Sequence, residues 1–392
     1  MALNNAGKKV LFIAATRQHV GKTTASLGII SGLKKRFKNV GFIKPVGQQH
    51  ELTAEGILVD KARNHAHRGL CADVSLMKEF FGLTCRYDDM SPVLIPAGYT
   101  RDYIDGKIAA GHQLKVVHAA FQNVMAESDV VVLEGTGHTA VGSVVDLNNA
   151  QVAKALNAEM ILVANGGLGS AYDELELNRG ICEKHGIKIR GVVLNKVVPE
   201  KVEMVTEYFG KLLKRWDVPI LGVVPDEPYL ARPSLIDLEK IFKTTLLAGL
   251  ENRRQPHYSI KHTHLAATGL RSFLEKLECA PPNPLVVTHC TRDDIVLGFL
   301  AHARKSRELG KSFGGALVLT GLDRRPMPHV EELLKEHDIP VIISNVSTFD
   351  TMDRIRSYTP KLHKEDEVRV RLAVAHYEAH IDFDTLLRPM EQ

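Results

Sequence analysis

The stretch KVLFIAATRQHVGKTT, residues 9–24, decides the fold. Its first seven residues are mostly apolar or β-branched, a run short enough for a buried parallel strand. They lead into Val20-Gly21-Lys22-Thr23-Thr24, after which Leu27, Ile30 and Leu33 recur at helical spacing. Strand, loop and helix in this order is the context that a phosphate-binding P-loop requires. Gly21 lets the backbone approach a phosphate. The N–H groups of the loop (His19, Val20, Gly21 and Thr24 among them) and the helix N-terminus supply positive potential there. Lys22 is placed to reach the β- and γ-phosphates, and the Thr23 hydroxyl to hold Mg²⁺. One position departs from the pattern: Thr16 stands where a glycine is usual, six residues before the lysine. The alternative is a helix that merely starts after a core strand.

Outward from this stretch, a second strand at 40–44 ends on Lys44-Pro45. Proline stops a ladder, so Lys44 falls at the carboxyl end of a strand, the edge of a parallel sheet where ligands bind. DVVVL at 129–133 then leads directly into Glu134-Gly135-Thr136-Gly137. A buried strand that delivers a carboxylate into a glycine turn is the layout of a Walker B-type acid acting on Mg²⁺ or its water. A turn or capping acid is the other reading of Glu134. A short helix is expected at 76–81, a loop at 91–98 and a longer amphipathic segment at 103–126. Strands at 159–164, 189–196 and 220–224, separated by helices at 171–184 and 199–216, imply right-handed crossovers and a parallel sheet covered on both faces.

This first domain is expected to span 1–250, followed by a polar linker at 251–264 broken by Pro256. A shorter alternation then occupies 265–392: strands at 285–289, 316–320 and 341–344, helices at 293–308, 330–337 and 348–357, and a terminal helix. The fold class is therefore α/β, a P-loop NTPase parallel sheet with helices on both faces plus a smaller C-terminal α/β domain.

Composition narrows the function. With 392 residues, 44% hydrophobic and 24% charged, the chain suits a two-domain globular protein. A net charge of +4 is small for this length and does not point to nucleic acid. No apolar run reaches membrane-spanning length, and the N-terminus lacks the apolar segment of a signal peptide. Five scattered cysteines without a CxxC pair fit reduced thiols in the cytoplasm. Histidine pairs at 65/67, 262/264 and 376/380 lack a third ligand at a familiar spacing, so they read as structural or surface residues.

The first domain resembles dethiobiotin synthetase and its relatives, and still more the non-catalytic N-terminal domain of long phosphate acetyltransferases. The segments that carry the likeness are ATRQHVGKTTASLG, FIKPVG, VVLEGTGH, ILVANGGLGS, GVVLNKV and PILGVVPD. VVTHCTRDDI, ALVLTG and IPVIISNVSTFDTMDRI resemble the DRTGG domain. The likeness implies Lys22 and Thr23 as phosphate and Mg²⁺ contacts, Glu134 as a Mg²⁺-site carboxylate and Lys44 as the lysine that stabilises a carboxyphosphate. It also implies that Asn195 reads the nucleotide base. The NSDA-like segment that carries the synthetase's second Mg²⁺ aspartate is absent, and Asp60 is the nearest candidate. Arg17 falls where ATPases of the ParA/MinD type carry a signature lysine, and it is either a γ-phosphate contact or a solvated loop arginine.

The function expected is an ATP- and Mg²⁺-dependent P-loop protein that hydrolyses ATP or activates a carboxylate-type substrate. The alternative is a non-catalytic nucleotide sensor. Its expected partners are a nucleotide, a small-molecule substrate or effector, and further copies of itself, with no nucleic acid or membrane.

Overall fold

A computed structural model describes residues 5, 7–47, 71–254, 260, 262–311, 313–321 and 324–389. Its strands are β1 (Lys9–Ala15), β2 (Val40–Ile43), β3 (Val46–Gly47), β4 (Val93–Leu94), β5 (Val130–His138), β6 (Glu159–Asn165), β7 (Ile189–Val197) and β8 (Ile220–Pro225). They continue with β9 (Leu246–Ala248), β10 (His262–Leu265), β11 (Pro284–His289), β12 (Ala316–Thr320) and β13 (Val341–Ile343). The chain forms two compact units that part after Asp226, and residues from Val370 onward return to the first.

In the first unit a six-stranded sheet runs in the order β2-β5-β1-β6-β7-β8, with every pair parallel. The P-loop strand β1 is thus central and buried on both faces, which is why it reads as a continuous apolar run. The helix Lys22–Lys34 that follows is buried along Ala25, Leu27, Ile29, Ile30 and Leu33. Each of the leucine and isoleucine side chains contributes roughly 1.5–3 kcal/mol on removal from water. Gly28 and Gly32 open the opposite face of that helix to the C-terminal segment. A Cβ on Gly28 would strike Tyr377, and one on Gly32 the Phe383 ring. Ile381 bridges Gly222 of β8, and the Asp382 N–H donates to Leu221 at 2.7 Å.

In the second unit a five-stranded sheet runs in the order β10-β11-β12-β13-β9, parallel except for the antiparallel β9. The expected boundary at residue 250 is corrected here. The helix Leu235–Phe242 and strand β9 pack with Val287, Val318 and Ile342 in the second unit's core. The described residues of the expected linker, 251–254, 260 and 262–264, accordingly fall in that unit, where β10 is the edge strand. The terminal helix, expected in the second domain, is placed in the first unit from Val370 onward.

Local differences have physical causes. The amphipathic segment expected at 103–126 is two helices, Tyr99–Ile104 and His112–Glu127, parted by left-handed Gly106 and Gly111. Strand β5 runs through the EGTG segment to His138 instead of turning at Glu134. The Asn149 side chain supports that extension by accepting from the Thr136 N–H and donating to the Thr136 and His138 carbonyls. His376 and His380 prove structural, bonded to the Pro225 and His376 carbonyl oxygens at 2.8 and 2.7 Å.

Candidate nucleotide site

The site is assembled at the carboxyl edge of the first sheet. Register places Glu134 beside Ile13 of β1, and Ile43 beside Leu133. The first residue past β2, Lys44, therefore arrives next to Glu134, its N–H bonded to the Met90 carbonyl. The Lys44 ammonium donates to Glu134 Oε1 at 2.9 Å and makes a short ion pair with Asp73. The Thr23 hydroxyl lies 3.1 Å from the same Glu134 oxygen and 3.4 Å from Asp73 Oδ1. Lys44 is 6% exposed and Glu134 fully buried. Burial pulls the Lys44 pKa down, but the Asp73 and Glu134 carboxylates outweigh it and hold the ammonium well above the ordinary lysine value.

Of the residues expected to hold Mg²⁺, Thr23 and Glu134 are brought together and Asp60 lies outside the described residues. Asp73, in the first turn of the helix Ala72–Phe81, supplies the second carboxylate beside them. From sequence it is indistinguishable from an acid that complements a helix dipole. The donor set is one hydroxyl and two carboxylates, all oxygen, which suits Mg²⁺. Glu134 Oε2 is buried without a hydrogen-bond partner, an orphaned acceptor of the kind that a cation satisfies. No group of three or more His, Cys, Asp or Glu among the described residues would bind a metal alone. A bound Mg²⁺ would therefore draw further ligands from phosphate oxygens and water.

The loop itself is set by two left-handed residues, His19 with φ 62° and Gly21 with φ 98°. Thr16 has no positive φ, so its position does not require glycine. Its hydroxyl instead donates to Glu174 at 2.8 Å, and its N–H to Val163 at 2.9 Å. Arg17 points to solvent and pairs with Glu174 at 3.5 Å, a contact too exposed to stabilise much. Lys22 opens the helix, partly buried, and Thr24 donates to the Gly21 carbonyl at 2.7 Å.

Two consecutive residues at the end of β7 grip the loop from below. Asn195 donates to the Val20 carbonyl at 2.6 Å, and Lys196 to the His19 carbonyl at 3.0 Å. Lys196, left-handed with φ 54°, and Glu174 escaped the sequence reading. Their contacts span more than 150 residues, and neither carries a local pattern that would mark it.

This geometry agrees with the relationships of the chain. A family model described as an AAA domain matches residues 9–234, and one described as a DRTGG domain matches 239–358. The phosphate acetyltransferase of Pseudomonas aeruginosa is 27% identical over 395 residues, covering 96% of this chain and 51% of that protein. The chain thus spans about half the length of such relatives. The ATP-dependent dethiobiotin synthetase of Xanthomonas oryzae pv. oryzae is 25% identical over 217 residues, covering 55% of this chain and 91% of that protein. Among solved structures, the MinC:MinD cell division complex of Aquifex aeolicus aligns with a TM-score of 0.35 at 18% identity, over 57% of this chain and 83% of that one. That likeness adds nothing to a fold already given by the sheet order. The chain belongs to the AAA domain family, as a P-loop domain of the dethiobiotin synthetase-like type joined to a DRTGG domain.

Proposed function

We propose that the first unit binds Mg-ATP and uses it, either in hydrolysis or to activate a carboxylate-type group. The observation that carries this reading is the buried Lys44 ammonium between Asp73 and Glu134, a hydrogen bond away from the P-loop threonine. Taking three charged groups out of water costs several kcal/mol per ion unless each is paired, and charged clusters of this kind gather at functional sites.

In the proposed mechanism Lys22 and the loop N–H groups hold the β- and γ-phosphates while Thr23, Asp73 and Glu134 would hold Mg²⁺. The ion supplies charge neutralisation on the phosphate oxygens. Lys44 stays protonated throughout, because its two carboxylates hold it so. Its positive charge is fixed before reaction, as electrostatic stabilisation of a developing acyl phosphate needs. Burial of the pocket wall strengthens each of these interactions by excluding water.

A nucleotide-sensing role with little turnover is the second reading. It is favoured by the phosphate acetyltransferase likeness, which extends over 96% of the chain and so includes both units. Steady-state ATP hydrolysis by the full chain separates the two. Enzymatic use predicts Mg²⁺-dependent turnover that disappears in Lys22→Ala and falls steeply in Lys44→Ala. ATP binding without turnover selects the sensor, and turnover that survives Lys22→Ala contradicts catalysis at this site.

A further inference from the structure

The C-terminal segment lies along the phosphate-loop helix Lys22–Lys34, and the mechanism above gives it no part. That helix begins without a side-chain cap: Gly21 at its N-cap makes no such bond, and its first turn holds no acid. The turn that would meet phosphate is therefore not anchored by a capping side chain. The grip comes from farther along the same helix. Glu378 Oε2 accepts from the Ser31 hydroxyl at 2.6 Å, and its Oε1 makes a short ion pair with Lys35. The Glu378 side chain is 17% exposed, so its carboxylate depends on these two partners more than on water.

Two glycines let the segment come this close. A Cβ on Gly28 would strike Tyr377 and the Glu378 backbone, and one on Gly32 the Phe383 ring. Arg36, just past the helix, lies over that ring at 4.4 Å. Toward the loop, the Tyr377 hydroxyl stands 3.4 Å from where a Gly21 Cβ would be. The segment is fastened in turn to the edge of the sheet. His376 is bonded to the Pro225 carbonyl, and the Asp382 N–H donates to Leu221 of β8 at 2.7 Å. A helix of 13 residues is a rod about 20 Å long, so fixing one end constrains the other.

We propose that Glu378 is a positioning residue for the phosphate loop: by holding Ser31 and Lys35 it sets the placement of Lys22 and Thr23, so that Mg-ATP binding and docking of the segment 376–388 reinforce each other. This linkage rests on the ATP reading and extends it to how the site is regulated. Coupling between two sites is reciprocal. Loosening the segment weakens Mg-ATP, and Mg-ATP tightens the segment by the same factor.

Titration calorimetry of the full chain with Mg-ATP, paired with hydrogen exchange at the Asp382 amide, reads both sides of the linkage. Glu378→Ala is expected to weaken Mg-ATP about fivefold or more. Saturating Mg-ATP should slow Asp382 exchange in the wild type by a comparable factor. Gly28→Ala undocks the segment while sparing the carboxylate. Alanine is a better helix former than glycine, so weaker Mg-ATP binding there comes from displacing the segment and not from damage to the helix. The double variant should add little to either single one, as expected of two changes acting through one contact. Exchanging the charges, Lys35→Glu with Glu378→Lys, should return the affinity to within about twofold of wild type.

Unchanged Mg-ATP affinity in either single variant overturns the linkage: with faster Asp382 exchange the segment merely stabilises the fold, and without it Glu378 holds nothing. Asp382 exchange that ignores Mg-ATP in the wild type refutes it as well, and so does tighter Mg-ATP binding once the segment is undocked. If Glu378→Ala fails to fold, Gly28→Ala and wild-type exchange decide. Wild-type protein that binds no Mg-ATP removes the ATP reading itself and the linkage with it, a result distinct from all of these.

Discussion

Among the described residues, two carboxylates are fully buried and each is paired with a cation, Glu134 with Lys44 in the first unit and Asp237 with Arg369 in the second. Their surroundings differ in one respect. Asp237 accepts from the Ser234 N–H and hydroxyl and from Arg369 on one oxygen, and from Tyr358 on the other at 2.9 Å. Arg369 in turn is closed by Asp366 and the Arg232 carbonyl. Glu134 receives Thr23 and Lys44 on one oxygen, while the other has no partner. The first network is complete within the protein and belongs to the architecture, locking the start of the helix Leu235–Phe242 through its capping box. The second is left one partner short beside a phosphate-type loop. A buried charge alone therefore does not mark a functional site in this chain; what sets Glu134 apart is an unfilled acceptor together with its place beside a phosphate-type loop.

Breaking each network in the same way sharpens the contrast. Lys44→Met and Arg369→Met each strand buried carboxylate charge and are expected to lower unfolding stability by roughly 3–5 kcal/mol, read by urea denaturation. Millimolar Mg²⁺ should recover part of the loss in Lys44→Met by filling the site, and none in Arg369→Met. Equal recovery in both, or in neither, would erase the distinction. Next in size is Lys22→Ala, expected to reduce ATP turnover by about 10²–10³-fold. The same steady-state assay should show Arg369→Lys within about twofold of wild type, since that network plays no part in the chemistry.

Tyr358→Phe tests the closed network more gently. Losing one hydrogen bond to a buried carboxylate should cost about 1–2 kcal/mol, with ATP affinity unaltered by calorimetry. The alkaline limb of stability supplies the smallest effect. Burial and the Asp73 carboxylate push the Cys71 thiol up to about 12 from 9.0, and burial raises Cys182 to about 12. Groups raised in the folded state contribute stability that is whole below their unfolded values and fades as pH rises through the folded ones. Each thiol should therefore cost about 1 kcal/mol by pH 10, and Lys44 begins to add a loss of the same sign above 10.5. Urea midpoints measured from pH 7 to pH 10.5 should decline with this sign, and Cys71→Ser should flatten the curve.

How far the sequence revealed each region follows from the range of the forces involved. The strands of the first sheet and the helices Asp293–Glu308 and Thr348–Ser357 announced themselves through local periodicity. Lys44 and Glu134 were legible because each follows directly on a buried strand, where topology dictates the edge. Asp73 was hidden, since an aspartate in a first helical turn has an ordinary explanation. The unit boundary was hidden too. Strand β9, though apolar, is only three residues long and too short for a periodic pattern to mark, and β10 alternates histidines with other residues and carries no apolar run. Tyr377 and Lys196 act only across the fold, through contacts that a linear pattern does not encode.

The claim beneath all of this is that the loop from Thr16 to Thr23, with Asp73 and Glu134 facing it, holds a metal-bound triphosphate. Titration calorimetry of ATP into the full chain, once with Mg²⁺ and once with EDTA, tests it most directly. The structure predicts one binding site that tightens with Mg²⁺ in the wild type, is lost in Lys22→Ala, and keeps weak but Mg²⁺-insensitive binding in Glu134→Gln. Binding that is indifferent to Mg²⁺ in the wild type, or retained at full strength in Lys22→Ala, would contradict it.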